Sequence, residues 1–123
     1  MSGVGVLSVQ HDEEGRRATR TVVNGASGFE VVGEAASAEE ALELAVALHP
    51  SLALVAVGMP GIDGFETSRR LVAALPSTTV VLLFTSVEPS NETVVGSQAV
   101  AALHDQTLTP TSLRDLWDEY GTR

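Results

Sequence analysis

The sequence predicts an α/β domain built on a doubly wound parallel sheet, and three observations support this fold class. Strand and helix patterns alternate five times within 123 residues. Residues 52–57 and 79–85 are apolar almost throughout, which is typical of strands buried on both faces of a parallel sheet. Residues 58–61 (Gly-Met-Pro-Gly) form a loop after the first of these strands, and Asp63 then begins a helix. Strand, loop and helix in this order favour a βα unit.

The first βα unit is predicted from an apolar run and a short helical pattern. Residues 4–9 form the first strand, and residues 12–24 form a helix. The apolar face of that helix is thin, since it consists of Ala18 and Val22. Gly25 is a suitable residue to end it.

The next two helices begin at recognisable caps. Residues 29–34 form the second strand, and Ser37 then caps a helix with Glu40 at the capping-box position. The same spacing recurs in the helix after the third strand, where Asp63 is the cap and Glu66 follows three residues later. The predicted strand at 79–85 comes after this helix.

The C-terminal third gives a weaker pattern. Residues 86–99 carry no clear period, although Ser90 could begin a helix, and residues 100–103 fit a short last strand. Thr109 and Pro110 are a cap followed by proline at the first helical position. The apolar face of this last helix carries Leu113, Leu116, Trp117 and Tyr120. Right-handed crossovers between the five βα units give a flavodoxin-like, five-stranded parallel sheet in the order 2-1-3-4-5.

Composition excludes several functions. The formal net charge is −9, from 16 acidic and 7 basic residues, so this domain alone is not expected to bind nucleic acid. There is no cysteine, which excludes disulfides and thiol chemistry. All seven basic residues are arginines, so any mechanism that requires a lysine is excluded. Neither an apolar run of about 18 residues nor a signal peptide is present, and we expect a cytoplasmic protein without a membrane span.

The segment that follows the third strand resembles the centre of the bacterial response-regulator receiver domain. In that family the strand ends in an aspartate that accepts a phosphoryl group, followed by two variable residues and then Met-Pro-Gly-x-Asp-Gly. Residues 59–64 (Met-Pro-Gly-Ile-Asp-Gly) carry this pattern. The phosphoacceptor position falls on Ala56, whose methyl group is neither a nucleophile nor a metal ligand.

The resemblance covers nearly the whole chain and implies a set of altered site positions. Gln10 and His11 replace the acidic pair that holds magnesium, and His104 replaces the lysine that pairs with the phosphoryl group. Ala101 lies at the position of the aromatic switch residue, and the hydroxyl position alone is retained, as Thr85. The degenerate phosphorylation pocket implied by the resemblance consists of Gln10, His11, Asp12, Ala56, Thr85, Ala101 and His104.

Three further segments, Val-Val-Gly-Glu-Ala-Ala at 31–36, Leu-x-Pro at 48–50 and Pro-x-x-Leu at 110–113, resemble receivers that precede helix-turn-helix output domains of the LuxR/NarL type. The resemblance implies that residues 1–123 form one receiver-like domain, either a stand-alone regulator or the N-terminal part of a longer one. The expected function is phosphorylation-independent protein binding or dimerisation in signal transduction and transcriptional regulation, with no catalytic residue, cofactor or bound metal. In the family the fourth helix, fifth strand and fifth helix form the dimer and partner face, which places Arg114, Trp117 and Tyr120 among the interface candidates.

Other functions remain open at this point. The degenerate pocket could bind a neutral small molecule, which would make the domain a sensor. An enzyme on the same fold could use His11 or His104 as a general base, but no nucleophile motif or phosphate-binding loop accompanies them. His11, Asp12 and His104 could together hold a transition metal, although no spacing motif supports this. Asp12 is better explained as a helix cap, and Thr85 could be a strand-end residue with no task.

Overall fold

A single sheet of five parallel strands, with helices on both faces, organises the computed structural model, which describes residues 3–121. The strands are β1 (Val4–Val9), β2 (Phe29–Ala35), β3 (Leu52–Ala56), β4 (Thr79–Phe84) and β5 (Ala101–His104). The helices are α1 (Glu13–Asn24), α2 (Ala38–Leu48), α3 (Gly64–Ala74), α4 (Asn91–Ser97) and α5 (Pro110–Tyr120). The strand order is β2-β1-β3-β4-β5, so the predicted flavodoxin-like topology is confirmed. Positions 1, 2, 122 and 123 of the predicted domain lie outside the described residues.

Each helix begins at a side chain that accepts a hydrogen bond from the main-chain N–H three residues later. Such a cap satisfies one of the four N–H groups that a helix start leaves unpaired, and its loss typically costs about 1 kcal/mol. The five caps are Asp12, Ser37, Asp63, Ser90 and Thr109. Short polar side chains at the ends of apolar strands therefore set where each helix starts.

The core consists of two apolar layers, one on each face of the sheet. Since successive strand residues point to opposite faces, Leu7 belongs to one layer and Val6 to the other. The first layer includes Leu71 of α3 and packs under α2, α3 and α4. The second includes Val23 of α1 and Leu113 of α5. The helices thus divide as a doubly wound fold requires, with α1 and α5 on one face.

Two predictions about the helices were wrong in detail. The buried residues of α1 are Thr19 and Val23, whereas Ala18 is exposed and Val22 is half-buried. In this orientation the buried Thr19 hydroxyl accepts a hydrogen bond from Gln10, the residue after β1. In α3 the Asp63 cap forms as predicted, but the Glu66 carboxylate does not complete a capping box, since it binds the neighbouring arginines of its own helix.

The C-terminal part differs slightly from the pattern in the sequence. Residues Asn91–Ser97 form a helix of two turns despite their weak helical propensity, and Ser90 caps it. The helix ends at Gln98, which adopts the left-handed conformation with φ 66°. β5 begins and ends one residue later than predicted, at Ala101 and His104. Over residues 3–121 no helix is both long and apolar enough to cross a membrane.

Candidate functional site

The carboxyl edge of the sheet is the natural place for a site in this topology. Gln10 follows β1, Ala56 ends β3, Thr85 follows β4 and His104 ends β5. All four strands run in the same direction, so these positions lie along one edge. The predicted site positions are therefore brought to the same end of the sheet, although their side chains serve different purposes there.

The Gln10 side chain is held by α1. Its Nε2 donates a hydrogen bond to the Thr19 hydroxyl oxygen at 2.6 Å. Its Oε1 occupies the space in front of Gly15, where a Cβ would collide with that oxygen. The carboxamide thus forms a structural contact between the residue after β1 and the middle of α1.

The loop from β1 to α1 is held by an arginine. Arg16 Nη1 donates to the main-chain oxygens of Gln10 at 2.8 Å and of His11 at 2.9 Å. The His11 side chain is exposed, and the Asp12 carboxylate accepts from Gly15 N–H at 3.1 Å as the cap of α1. A guanidinium therefore satisfies main-chain oxygens in the loop where the family places its acidic pair.

This arginine belongs to a charged network between α1 and β2. Arg20 donates to both carboxylate oxygens of Glu34, at 2.6 and 2.8 Å, and Arg16 Nε lies 3.8 Å from the same carboxylate. The hydrogen bonds from Arg20 hold the pKa of Glu34 below its usual range, and partial burial acts in the opposite direction. The same pairing raises the pKa of Arg20. The Glu34 side chain is 23% exposed, so this network is only partly screened by water.

At the end of β3, Ala56 is half-buried and presents only a methyl group. The following loop returns to it, because Gly64 N–H donates to the Val57 oxygen at 2.9 Å. A Cβ at Gly64 would collide with the Ala56 main-chain oxygen, so glycine is required at this close approach. The loop geometry of the motif at 59–64 is thus intact around a position that has no reactive side chain.

At the end of β5, the His104 ring is packed and hydrogen-bonded. It meets the Phe84 ring edge to face, with centroids 5.5 Å apart. Its Nδ1 accepts from Gln106 N–H at 3.1 Å, which favours the tautomer with the proton on Nε2. The Asp105 Oδ1 lies 3.3 Å from the same Nδ1, but that nitrogen already serves as an acceptor. His104 therefore contributes no long, mobile cation of the kind that a lysine would supply.

A cleft at this edge lies beside the predicted pocket, on the face that α1 covers. It has a volume of about 530 Å³ and is walled by the end of β1, by α1 and by the segment between β5 and α5. Its polar lining comes from Gln10, Asp12, Glu14, Thr19, Asp105 and Gln106, and its apolar lining from Ala18, Val22, Leu83 and Leu108. Of the predicted pocket, this cleft includes only Gln10 and Asp12.

The residues at this edge do not fit a magnesium ion. Mg²⁺ prefers carboxylate and other hard oxygen ligands in octahedral geometry. The residues predicted at the positions of the family ligands are Gln10, His11 and Ala56. The Gln10 carboxamide is already hydrogen-bonded to Thr19, His11 offers an imidazole, and Ala56 offers only a methyl group. Within residues 3–121 there is also no group of three His, Cys, Asp or Glu side chains arranged to hold a metal, so the structure does not support a site formed by His11, Asp12 and His104.

Several residues that shape this edge were not singled out from the sequence. Phe84 packs against His104, Arg16 holds the β1–α1 loop, and Thr19 binds Gln10. The only sequence signal that Thr19 is buried is its position four residues before Val23, which places the two side chains on the same helix face. The contacts of Phe84 and Arg16 depend on strand register and loop path, which local sequence does not encode.

The interface candidates fall on different sides of the molecule. Arg114 donates to the Ser27 main-chain oxygen at 2.8 Å and lies over the Phe29 ring, with its Cζ 5.9 Å from the ring centroid. Trp117 packs against the core layer under α1 and α5. Tyr120 alone of the three lines the cleft between α4 and β5.

The fold and the position of this edge define a class of protein: a flavodoxin-like (βα)5 domain whose strand ends carry the positions of a receiver site. Comparison with known proteins gives the family. The response regulator receiver domain family matches residues 6–110. The NarL signal receiver domain from Mycobacterium tuberculosis is 25% identical, covers 100% of both chains and superposes with a TM-score of 0.82. The chain belongs to the response regulator receiver family.

Two curated relatives are considerably longer than this chain. Protein-glutamate methylesterase/protein-glutamine glutaminase 4 from Myxococcus xanthus is 36% identical over 98 residues, which are 80% of this chain and 28% of the relative. Response regulator GacA from Pseudomonas aeruginosa is 43% identical over 56 residues, which are 46% of this chain and 26% of GacA. The chain thus spans little more than a quarter of either relative.

Proposed function

We propose that this chain is an atypical receiver that works without phosphorylation, as a binding module in signal transduction and transcriptional regulation. The observation that carries the proposal is Ala56 at the phosphoacceptor position, at the end of β3 and at the start of an intact motif loop. A methyl group cannot accept a phosphoryl group. The module itself would need no catalytic residue, cofactor or metal.

The other altered positions support the same proposal. Gln10 and His11 provide no carboxylate, and the one nearby carboxylate, Asp12, caps α1. His104 is packed on Phe84 and cannot reach outward as a lysine would. Ala101 has no aromatic ring that could change position with phosphorylation. The side chains that would hold the magnesium ion, accept the phosphoryl group and stabilise its charge are therefore all replaced.

In this proposal the domain acts through contacts with a protein partner or with a second copy of itself. The receiver face formed by α4, β5 and α5 is the proposed surface, and its cleft is lined in part by Tyr120. A cytoplasmic location follows from this role, and nucleic-acid binding would belong to another domain or protein. Residues 1–123 would be one domain of a stand-alone regulator or of a longer one.

The test is thermal melting with and without Mg²⁺ plus beryllofluoride, a phosphoryl mimic, with self-association followed by sedimentation. We expect no shift of the melting temperature and no change of oligomeric state. A clear stabilisation by Mg²⁺ and beryllofluoride together, absent with either component alone, would show that another carboxylate accepts the mimic. The proposal would then be wrong.

A second candidate function is sensing of a small molecule at the same edge of the sheet. The cleft of about 530 Å³ beside Gln10 favours it, because ligand sites commonly fall between about 300 and 1,000 Å³. The Gln106 amide and the apolar side chains of Ala18, Val22 and Leu108 would orient a small polar compound there. Ligand-dependent melting against a metabolite collection separates this function from the first, since a pure binding module would respond to none.

A further inference from the structure

We propose that the cleft between α4 and β5 binds a basic protein segment that inserts one large apolar side chain. This inference rests on the proposed function and specifies the chemistry of the partner. The cleft has a volume of about 280 Å³. A neighbouring cleft of about 350 Å³, toward the end of α3, shares Val100 and Tyr120 with it. Tyr120 therefore borders both clefts.

Most of the residues that line the cleft are small and apolar, and Glu88, Asn91 and Tyr120 add polar groups to it. Ala99, Ala101 and Ala102 line it from β5 and the segment before it, and Val94 and Val95 line it from α4. Val95 is 73% exposed, although it stands beside this apolar surface. Alanine at position 101 leaves room that a larger side chain would fill. The shape therefore fits an apolar side chain supplied from outside.

The charges around the cleft are acidic. Between Arg70 and Arg114 the sequence contains neither lysine nor arginine, and β4, α4 and β5 all lie in this interval. Glu88 lines the cleft, and Glu92 is exposed on α4. An acidic rim around an apolar floor complements a segment with lysine or arginine flanking an apolar anchor.

Two basic side chains approach these elements, but neither of them lines the cleft. Arg114 of α5 donates to the Ser27 main-chain oxygen. Arg69 of α3 binds Glu66 at 2.8 Å and reaches the Gly96 main-chain oxygen at 3.4 Å. The rim thus keeps its negative charge. Two such faces would repel each other, so the charges favour a basic partner over a second copy of this chain.

The experiment uses a short synthetic amphipathic helix made of leucine and lysine as the probe, and the same helix with glutamate in place of lysine as its counterpart. Binding to the full chain is measured by titration at low and high salt, and the contact surface is mapped by amide chemical shifts. We expect the lysine helix to bind more tightly, with affinity falling as salt rises. The shifted amides should lie in residues 87–103 and at Tyr120.

Three variants locate the binding. Reversing the rim charges (Glu88→Lys with Glu92→Lys) should weaken binding about fivefold, and filling the cleft (Ala101→Trp) about tenfold. Val95→Ser, at an exposed position that folding tolerates, should weaken it about threefold. The control Glu43→Lys makes on α2 the same charge change as each one of the two rim substitutions, and it should have a much smaller effect than either of them.

Two results would overturn the inference. In one, Glu43→Lys weakens binding as much as the rim variant, or the shifted amides spread over α1 and α2, which would mean nonspecific attraction to an acidic protein. In the other, the free chain self-associates and Ala101→Trp abolishes that association, which would assign the cleft to a second copy. Stabilisation by Mg²⁺ plus beryllofluoride would refute phosphorylation independence but would not change the titration or the amide shifts. The two proposals can therefore fail separately.

Discussion

Phe84 and His104 lie directly opposite each other in the parallel pairing of β4 and β5, with their rings edge to face and 5.5 Å between centroids. This pair occupies the end of the sheet where the receiver family places a lysine. An imidazole packed against an aromatic edge contributes to folding instead of reaching toward a phosphoryl group. The position has therefore acquired a structural contact in this chain.

The Phe84–His104 contact should be measurable as a coupling energy. We expect Phe84→Leu and His104→Ala each to destabilise the domain, and the double variant to lose about 0.5–1 kcal/mol less than the sum. Urea denaturation of the four proteins gives this value. The control pair is Phe84→Leu with His49→Ala, since His49 lies at the exposed end of α2. Additive effects in both pairs would show that the ring contact contributes nothing.

Restoring the family residues should restore a response to the phosphoryl mimic. We expect the variant with Gln10→Asp, His11→Asp, Ala56→Asp and His104→Lys to be stabilised by Mg²⁺ plus beryllofluoride, because binding to the native state alone raises the melting temperature. Ala56→Asp by itself should give little response, since one carboxylate is a poor magnesium site. The other three substitutions without Ala56→Asp are the control. A full response from Ala56→Asp alone would show that the native loop already holds the metal.

Two fully buried serines offer a test of unpaired polar groups. Ser8 and Ser68 are both 0% exposed. The Ser68 hydroxyl donates to the Ser97 main-chain oxygen at 2.8 Å, whereas Ser8 Oγ is the one buried side-chain polar atom in residues 3–121 without a hydrogen-bond partner. We expect Ser68→Ala to destabilise by about 1 kcal/mol and Ser8→Ala to be neutral or to stabilise by up to about 1 kcal/mol. Chemical denaturation decides, and equal destabilisation by both would mean that Ser8 has a partner.

The strands and caps were predictable because their signals are local. β1 has the predicted limits, and the caps at Ser37 and Asp63 follow from short polar side chains before helical patterns. The buried face of α1 was not predictable, because Thr19 is buried by a hydrogen bond from Gln10 across the β1–α1 loop. The residues of α4 are poor helix formers, so the sequence predicts this helix only weakly. The helix forms where Ser90 caps it and Ser97 is buried against α3.

The candidate site was predictable only in its location. The resemblance gave the identity of Ala56 and His104, but it could not show that His104 packs on Phe84 or that a cleft lies beside α1. Those facts depend on the register between β4 and β5 and on the path of the segment after β5. Both arise from tertiary packing and leave no periodic trace in the sequence.

The ion pair between Arg20 and Glu34 should make stability depend on pH in the acid range. The pKa of Glu34 is lowered by the hydrogen bonds from Arg20, so the folded state holds this carboxylate charged more strongly than the unfolded state does. Its contribution is therefore complete above the carboxyl pKa of the unfolded chain and is lost as the pH falls through the lower pKa of the folded state.

We expect Glu34→Gln to reduce stability near neutral pH and to flatten the fall of stability as the pH decreases from about 5. Urea denaturation at a series of pH values measures both effects. Glu43→Gln, at an exposed position of α2, is the matched control. Its stability should fall with decreasing pH as steeply as that of the unsubstituted chain. High salt should weaken the effect only in part, because the Glu34 side chain is 23% exposed and Arg20 holds it through two hydrogen bonds. If the stability of Glu34→Gln fell with decreasing pH as steeply as that of the unsubstituted chain, this pair would not govern acid stability.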